Sequence, residues 1–456
     1  MTVTHTYASA GSYTATLTVT DDKNAAGTAT GVVNVSFSLG DRLNHHVFPK
    51  LANQVMDYAP TASFLQDCMY WDLLVLDAEL VHNRPSDLGP FGTLRSANPN
   101  VVILSYFSAA DIIPGNTATV NSGFIQQLLD GWYMKDTSGR RIKLFETSPG
   151  TWTEMLNLTT GVNAFMPNYL ATAVLGGGLS DGVFYDWISD QVHWLNNRTP
   201  SPSGPLDIDN DSIAEPDAQL DSFWRQGTST MLRNSRSAFP AGSLILGNGG
   251  WRCTNVYDAG LNGMMIEEFL SGESVGPEFG WSGVMLTYYQ HTQGFAPNLS
   301  FIMANGAAGS SFQFQRFSLA SALMFDGYFC FTNKGTYHSA WWYDEYAVDR
   351  GTGESAKSLS AKGYMGNPNG QAYNPLNPNE LLKDALLAGG AAAQEKAWRR
   401  DFQYGIVLVN PGSSDQSITL GGTFRKIKGT VDPVFNGGGV ISQITLPPRS
   451  GIVLLR

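Results

Sequence analysis

Between residues 45 and 345, eight short apolar runs alternate with helix-like stretches, and that count constrains the fold more than any other feature of the chain. The runs are 46–50, 73–77, 101–106, 183–186, 244–248, 264–267, 299–303 and 328–332. Most are apolar on both faces, as strands covered on both sides must be. Strand–helix alternation implies a parallel sheet, and eight such units are what a closed (β/α)8 barrel needs. The intervening segments support this. Asn163 can cap a helix with Pro167 in its first turn, running through residues 169–175 and stopping at Gly176, Gly177 and Gly178. Leu220, Phe223, Trp224 and Met231 keep helical spacing, as do Phe312, Phe317, Leu319 and Leu323.

Two of the runs share a second pattern. Gly182-Val-Phe-Tyr-Asp186 and Gly263-Met-Met-Ile-Glu267 each end on a carboxylate four residues after a glycine. Side chains alternate along a strand, so both acids have the same parity relative to their glycines. In a parallel barrel they converge at the C-terminal rim, where such barrels keep their active sites. Glycosidic cleavage needs one acid to protonate the leaving oxygen and a second carboxylate to attack the anomeric carbon or activate water. Asp186 and Glu267 are therefore the candidate catalytic pair. Glu268 follows directly and becomes the rim acid if the register is shifted by one residue.

The other strand ends carry polar and aromatic side chains suited to binding hydroxyls and stacking on sugar rings. They are Asp77 and Glu79 on the second run, Tyr106 on the third, Trp187 after the fourth, and Asn248 with Trp251 and Arg252 at the fifth. Asn305 follows the seventh, and Trp341, Asp344 and Glu345 follow the eighth. Asp77 and Asp344 are the reserves for a catalytic role. Between the fourth and fifth runs, Asp207, Asp209 and Asp211 stand at alternate positions, like the start of a calcium loop. Ser212 occupies the position of the expected glycine and Ala218 that of the bidentate glutamate, so a looser, structural calcium site is the expectation. No cofactor is required by this reading.

Residues 1–37 read as strands, with alternation through 13–19, a turn at Asp21-Asp22-Lys23-Asn24 and a second run at 30–35. Residues 350–403 read as a linker whose first part, rich in Gly, Asn and Pro, holds no regular structure. Residues 404–456 carry short runs separated by glycine turns, the texture of an antiparallel β-sandwich.

Two resemblances attach to these pieces. Val3-Thr-His-Thr-Tyr7, Ala10-Gly-Ser-Tyr13 and Leu17-Thr-Val-Thr-Asp21 resemble the end of a PKD domain, an extracellular immunoglobulin-like sandwich. Residues 45–345, within a catalytic barrel placed at 45–349, resemble the (β/α)8 glycoside hydrolases that include the endo-α-1,4-polygalactosaminidases and, more distantly, the α-galactosidase clan. The carrying pieces are Trp71-Asp-Leu-Leu-Val-Leu-Asp77, Trp132-Tyr-Met-Lys-Asp-Thr-Ser-Gly139, Leu156-Asn-Leu-Thr159 and the two glycine-to-acid runs. The resemblance implies that the acids ending strands four and six are the catalytic pair, with Asp186 as nucleophile and Glu267 as acid/base.

Composition narrows the partners. Net charge is −11 and the densest basic run is Lys396 to Arg400, so the phosphate backbone of a nucleic acid is repelled. No apolar run reaches the roughly 18 residues a membrane helix needs. Cys68, Cys253 and Cys330 match no metal spacing; they leave room for one disulfide and are read in preference as three buried apolar side chains. No His-Glu-x-x-His, Walker-type or Gly-x-Ser-x-Gly motif occurs. The expectation is a monomeric, extracellular or cell-surface, bacterial-type secreted glycoside hydrolase with a carbohydrate substrate. Met1 opens straight into strand, as if cut from something longer, and no signal peptide is visible. The competing readings are a non-catalytic carbohydrate-binding or adhesion module on a barrel scaffold, and a polysaccharide esterase or deacetylase.

Overall fold

The computed structural model describes residues 11–35, 38–56, 61–82, 89–197, 204–249, 260–271, 280–307, 311–333, 340–389 and 391–456. Eight parallel strands form one sheet in chain order: Ala52–Val55, Leu73–Asp77, Val102–Ser108, Gly182–Asp186, Leu244–Asn248, Gly263–Ile266, Phe301–Asn305 and Tyr328–Thr332. A parallel bridge between Leu51 and Phe329 joins the last strand back to the first. The sheet is thus a barrel, and the expected fold class holds.

Alternation along these strands sorts the side chains into two cores. Ala52, Leu73, Val75, Val102, Leu104, Phe184, Leu244, Leu246, Met265, Phe301, Met303, Tyr328 and Cys330 fill the interior. Their sequence neighbours Leu74, Leu76, Ile103, Val183, Tyr185, Ile245, Ile266 and Ile302 face the surrounding helices. Cys68 and Cys330 are free and buried, as expected; Cys253 lies outside the described residues.

The glycines of the two glycine-to-acid runs now have a physical reason. A Cβ on Gly182 would sit 1.9 Å from the carbonyl oxygen of Leu244, and one on Gly263 would sit 2.6 Å from the carbonyl carbon of Leu299. Both strands press against a neighbouring backbone at their start, which only glycine allows. Just before Gly182, Asp181 closes the barrel floor. It receives Arg42 and Arg95 in ion pairs of 2.5 and 2.8 Å and the N–H of Ile103 at 2.9 Å.

Two strand assignments need correction. The first strand is Ala52–Val55, not residues 46–50. Its Asn53 and Gln54 are buried polar residues that hide the strand from an apolar-run reading, whereas Phe48 instead bridges Gly366. The seventh strand begins two residues later than expected, so Asn305 ends it rather than follows it. The helix Val162–Ala173 is capped by Gly161, and Asn163 lies inside its first turn with its amide on the carbonyl of Leu158.

A seven-stranded antiparallel sheet follows the barrel: Tyr373–Asn374, Asn377–Leu381, Trp398–Phe402, Gly405–Asn410, Gln416–Lys426, Val440–Leu446 and Ser450–Leu455. Three of these strands come from the stretch expected to be irregular or linker. Helix Phe312–Ala322 docks on its last strand, where a Cβ on Gly451 would meet Ala320 at 2.4 Å. At the other end, Gly11–Thr20 and Ala26–Val35 pair as an antiparallel hairpin across the Asp21–Asn24 turn, as expected.

Gly182→Ala should lower unfolding stability by about 1–3 kcal/mol or more through overpacking against Leu244. Gly294→Ala, where a Cβ meets nothing within 4 Å, should change it by less than about 0.5 kcal/mol. Urea unfolding of both variants against wild type measures the difference.

Candidate active site

The interior alternation continues past the apolar layers to the C-terminal rim, where every one of strands two to eight presents a polar side chain. In order these are Asp77, Tyr106, Asp186, Asn248, Glu267, Asn305 and Thr332. On the first strand, the same spacing from Ala52 reaches Gln54. Apolar packing below and a polar ring above is the arrangement that turns a filled barrel into a site.

The ring is tied together at its centre by one amide. Asn248, on the fifth strand, lies between the fourth and the sixth. Its Nδ2 donates at 3.0 Å to Asp186 Oδ1 and at 3.0 Å to Glu267 Oε2. An amide nitrogen carries two hydrogens, so both are spent on the two carboxylates. The two accepting oxygens are no more than about 6 Å apart, and about 5 Å apart if each bond follows its N–H direction.

Asp186 has two further donors. Tyr106 Oη donates to its Oδ2 at 2.7 Å, and the Trp187 N–H donates to Oδ1 at 2.8 Å. Tyr106 is itself stacked on Phe184, with ring centroids 5.8 Å apart. Removal from water pushes the Asp186 carboxyl up to about 7, and the nearby charge of Glu267 adds to the rise. The donors from Tyr106 and Trp187 oppose it. Asp77 is also pushed up to about 7, mainly by burial, although the Glu79 N–H donates to it at 2.9 Å. Glu79 itself leaves the rim. Its two oxygens accept the N–H groups of Val120 and Asn121, at the start of helix Thr119–Ile125.

The remaining arc of the ring is unsatisfied. Among the described residues, both amide atoms of Asn305, the hydroxyl of Thr332 and the Oε1 of Gln54 are buried without a hydrogen-bond partner. Thr332 is 1% exposed and Asn305 7%. A buried polar atom without a partner is costly, and here the cost is concentrated on one side of a rim whose other side holds the acids. Gln54 and Thr332 were missed in the sequence. Thr332 was legible as two residues beyond Cys330, but Gln54 was hidden by the misplaced first strand.

Beside Asp186, the Trp187 ring packs against Phe145 at 5.2 Å and Trp194 at 5.5 Å between centroids. Trp187 has a φ of 64°, a strained left-handed conformation that turns the chain just after the acid. Phe145 and Trp194 had no sequence signal marking them as partners of Trp187, because they come from separate rim loops.

Several candidates stay outside this group. Glu268 has a φ of 54° and is buried; it is Glu267 that reaches Asn248. Asp344 does not face the rim group. Its oxygens accept the N–H groups of Thr430, Val431 and Asp432 at 2.9, 3.1 and 2.9 Å, and the Asn436 amide at 3.2 Å. These bonds hold it below the usual carboxylate range and tie the barrel's end to the C-terminal sheet. Glu345 bonds the same Asn436. Trp341 packs beside Phe331, which faces away from the barrel interior. Trp251 and Arg252 lie outside the described residues. Asp207, Asp209 and Asp211 gather in a separate cluster that also takes in Glu215.

A closed parallel barrel with acids, amides and aromatics around its C-terminal rim is an arrangement that barrel glycoside hydrolases share. The match to known families makes this specific. The chain belongs to the hypothetical glycosyl hydrolase family 15, whose model matches residues 95–406. A PKD domain model matches residues 1–35. Both resemblances read from the sequence motifs are thereby borne out at the level of the glycoside hydrolase barrel and the PKD segment. No curated protein matches the chain.

Solved structures are similar at low identity. Amy13B from Eubacterium rectale is 10% identical with a TM-score of 0.45, over 90% of this chain and 96% of that one. A GH31 family sulfoquinovosidase from E. rectale is 11% identical with a TM-score of 0.48, over 91% and 62%. A cycloalternan-degrading enzyme from Trueperella pyogenes is 11% identical with a TM-score of 0.41, over 95% and 67%. This chain thus spans less than two thirds of the sulfoquinovosidase's length. Among the described residues, no helix is long and apolar enough to cross a membrane.

The raised Asp186 carboxyl carries a stability prediction. Its folded pKa lies above the ordinary unfolded value near 4, so the folded state holds the proton more tightly. Stability from this group is full at low pH, falls as pH rises from about 4 to about 7, and is lost above that. Asp186→Asn should therefore raise the melting temperature at pH 8 and raise it less at pH 5. Melting curves of wild type and variant at the two pH values check this. Thr332→Val, which removes an unsatisfied hydroxyl, should also melt no lower than wild type.

Proposed function

We propose that this glycoside hydrolase cleaves a polysaccharide or oligosaccharide outside the cell, with Asp186 as nucleophile and Glu267 as acid/base. The observation that carries the proposal is the single Asn248 nitrogen shared by both carboxylates. Two carboxylate oxygens held within about 6 Å of each other favour the roughly 5–5.5 Å spacing of retaining enzymes over the roughly 6.5–9.5 Å that leaves room for an attacking water.

The roles follow from the donors. Besides the Asn248 amide it shares with Glu267, Asp186 accepts from Tyr106 and the Trp187 N–H, and these bonds counter part of the rise that burial and Glu267 impose on its carboxyl. That suits a nucleophile. In the first step Glu267 gives its proton to the glycosidic oxygen while Asp186 attacks the anomeric carbon. The leaving sugar departs as an alcohol and a glycosyl ester forms on Asp186. In the second step Glu267 takes a proton from water, whose oxygen attacks the same carbon and frees Asp186. Tyr106 and Asn248 hold the nucleophile's oxygens throughout. The unsatisfied side-chain atoms of Asn305, Thr332 and Gln54 supply donors and acceptors for the hydroxyls of the bound sugar, and the Trp187–Phe145–Trp194 group supplies a stacking face. An extracellular setting is supported by the match of residues 1–35 to a PKD domain.

Purified protein against a panel of polysaccharides tests the reading. Wild type should release reducing ends, and Asp186→Asn and Glu267→Gln should each lower kcat on the order of 10³-fold or more. The first-formed product should keep the substrate's anomeric configuration when followed by proton NMR. Because Asp186 must be ionised to attack, kcat/KM should rise with pH through about 7. A fall above pH 7 would instead make Asp186 the acid. Inversion would break the close-pair geometry, and equal glycan binding by wild type and both variants without cleavage would favour a binding module.

A further inference from the structure

Away from the catalytic rim, the loop Asp207-Ile-Asp-Asn-Asp-Ser-Ile-Ala-Glu215 gathers four carboxylates. Asp207, Asp209, Asp211 and Glu215 each place an oxygen within 4.8 Å of the others'. Among the described residues, none of the four is paired with a lysine, arginine or histidine. Like charges this close repel unless a cation or protons neutralise them.

A second observation points to a ligand. Glu215 is only 9% exposed, and its Oε1 is buried without a hydrogen-bond partner among the described residues. Its other oxygen accepts the Ile208 N–H at 3.2 Å, which anchors the side chain within the loop. Asp207, 4% exposed, accepts the N–H groups of Asp211 at 3.0 Å and Ser212 at 2.9 Å. These bonds wrap the chain around the acids. A buried carboxylate oxygen beside three aspartates is an acceptor set that a cation would satisfy.

We propose that Asp207, Asp209, Asp211 and Glu215 bind one calcium ion that braces the rim loops. Four carboxylates and no nitrogen or sulfur donor select a hard divalent cation. Calcium takes six to eight oxygens in flexible geometry, which suits ligands from one short loop, whereas magnesium demands near-ideal octahedral geometry and keeps its waters. The glutamate stands eight residues after the first aspartate, so the loop is shorter than an EF-hand loop, and Glu215 does the work of the glutamate missing at Ala218.

The position gives the ion a task. Leu206–Asp207 pairs antiparallel with Lys135–Asp136, the Leu206 N–H reaches Asn196 Oδ1 at 2.9 Å, and the Asn157 amide holds the Ile208 carbonyl at 2.7 Å. The loop therefore links the excursion after the third barrel strand to the one that leaves Asp186. The bound ion locks that link and so steadies the segment behind Trp187 and Trp194.

Isothermal titration of the chelator-stripped full chain with calcium chloride tests this, with melting curves alongside. One saturable site should appear, and calcium should raise the melting temperature. Asp209→Asn, at an exposed position, and Glu215→Gln should each weaken binding at least about tenfold. Asp217→Asn, just outside the cluster, should leave binding unchanged, and magnesium chloride should bind at least about tenfold more weakly than calcium. Absence of saturable binding up to about 10 mM calcium overturns the proposal. So does an equal loss in Asp217→Asn, which would mean diffuse attraction to an acidic surface. Should Glu215→Gln fail to fold, Asp209→Asn decides alone.

Discussion

Closure of a parallel sheet is the constraint on which the rest of this molecule depends. Once eight strands run the same way around a barrel, alternation divides every strand between an interior and a helix-facing side. The interior is filled by large apolar residues such as Phe184, Phe301 and Met303. Above that filling, the next inward position on each strand has nowhere to go but the rim. There the chain places Asp77, Tyr106, Asp186, Asn248, Glu267, Asn305 and Thr332. The site is thus a consequence of register: a one-residue slip of any strand would turn its rim residue into the helix layer.

The ring is unevenly satisfied, and the unevenness carries the functional meaning. On one side, Tyr106, Asn248 and the Trp187 N–H saturate Asp186, while burial and Glu267 press its charge toward protonation. On the other side, Asn305, Thr332 and Gln54 hold buried polar atoms with no hydrogen-bond partner among the described residues. Both features cost folding stability. They are offset elsewhere, at the ion-paired floor of Asp181 with Arg42 and Arg95 and along the docked C-terminal sheet. A fold that tolerates such strain at one rim is arranged for a ligand that relieves it.

Much of this was legible in the sequence, for reasons that are physical. The glycine-to-acid spacing worked because Gly182 and Gly263 sit where backbones touch, and two full alternations then bring the acid to the rim on the same face. Seven barrel strands announced themselves as apolar runs; the first did not, because Asn53 and Gln54 are polar yet buried. Asp344 resembled a rim acid after the eighth strand, but its partners Thr430, Val431 and Asp432 lie more than 80 residues away and leave no local mark. Glu79 was spent on a helix start in the same way. Adjacency in the chain identifies the element, whereas the partner that consumes a carboxylate belongs to tertiary structure.

The central claim is that Asp186 and Glu267 act as one close pair in which Asp186 carries the sugar. The most direct measurement is peptide mapping by mass spectrometry after exposure to a panel of cyclophellitol-type epoxides, which trap the nucleophile of retaining glycosidases as a stable ester. The account expects the adduct on Asp186, with labelling slowed in Glu267→Gln because the epoxide oxygen then lacks its proton donor. An adduct on Glu267, or on a carboxylate outside the Asn248-linked pair, would contradict it.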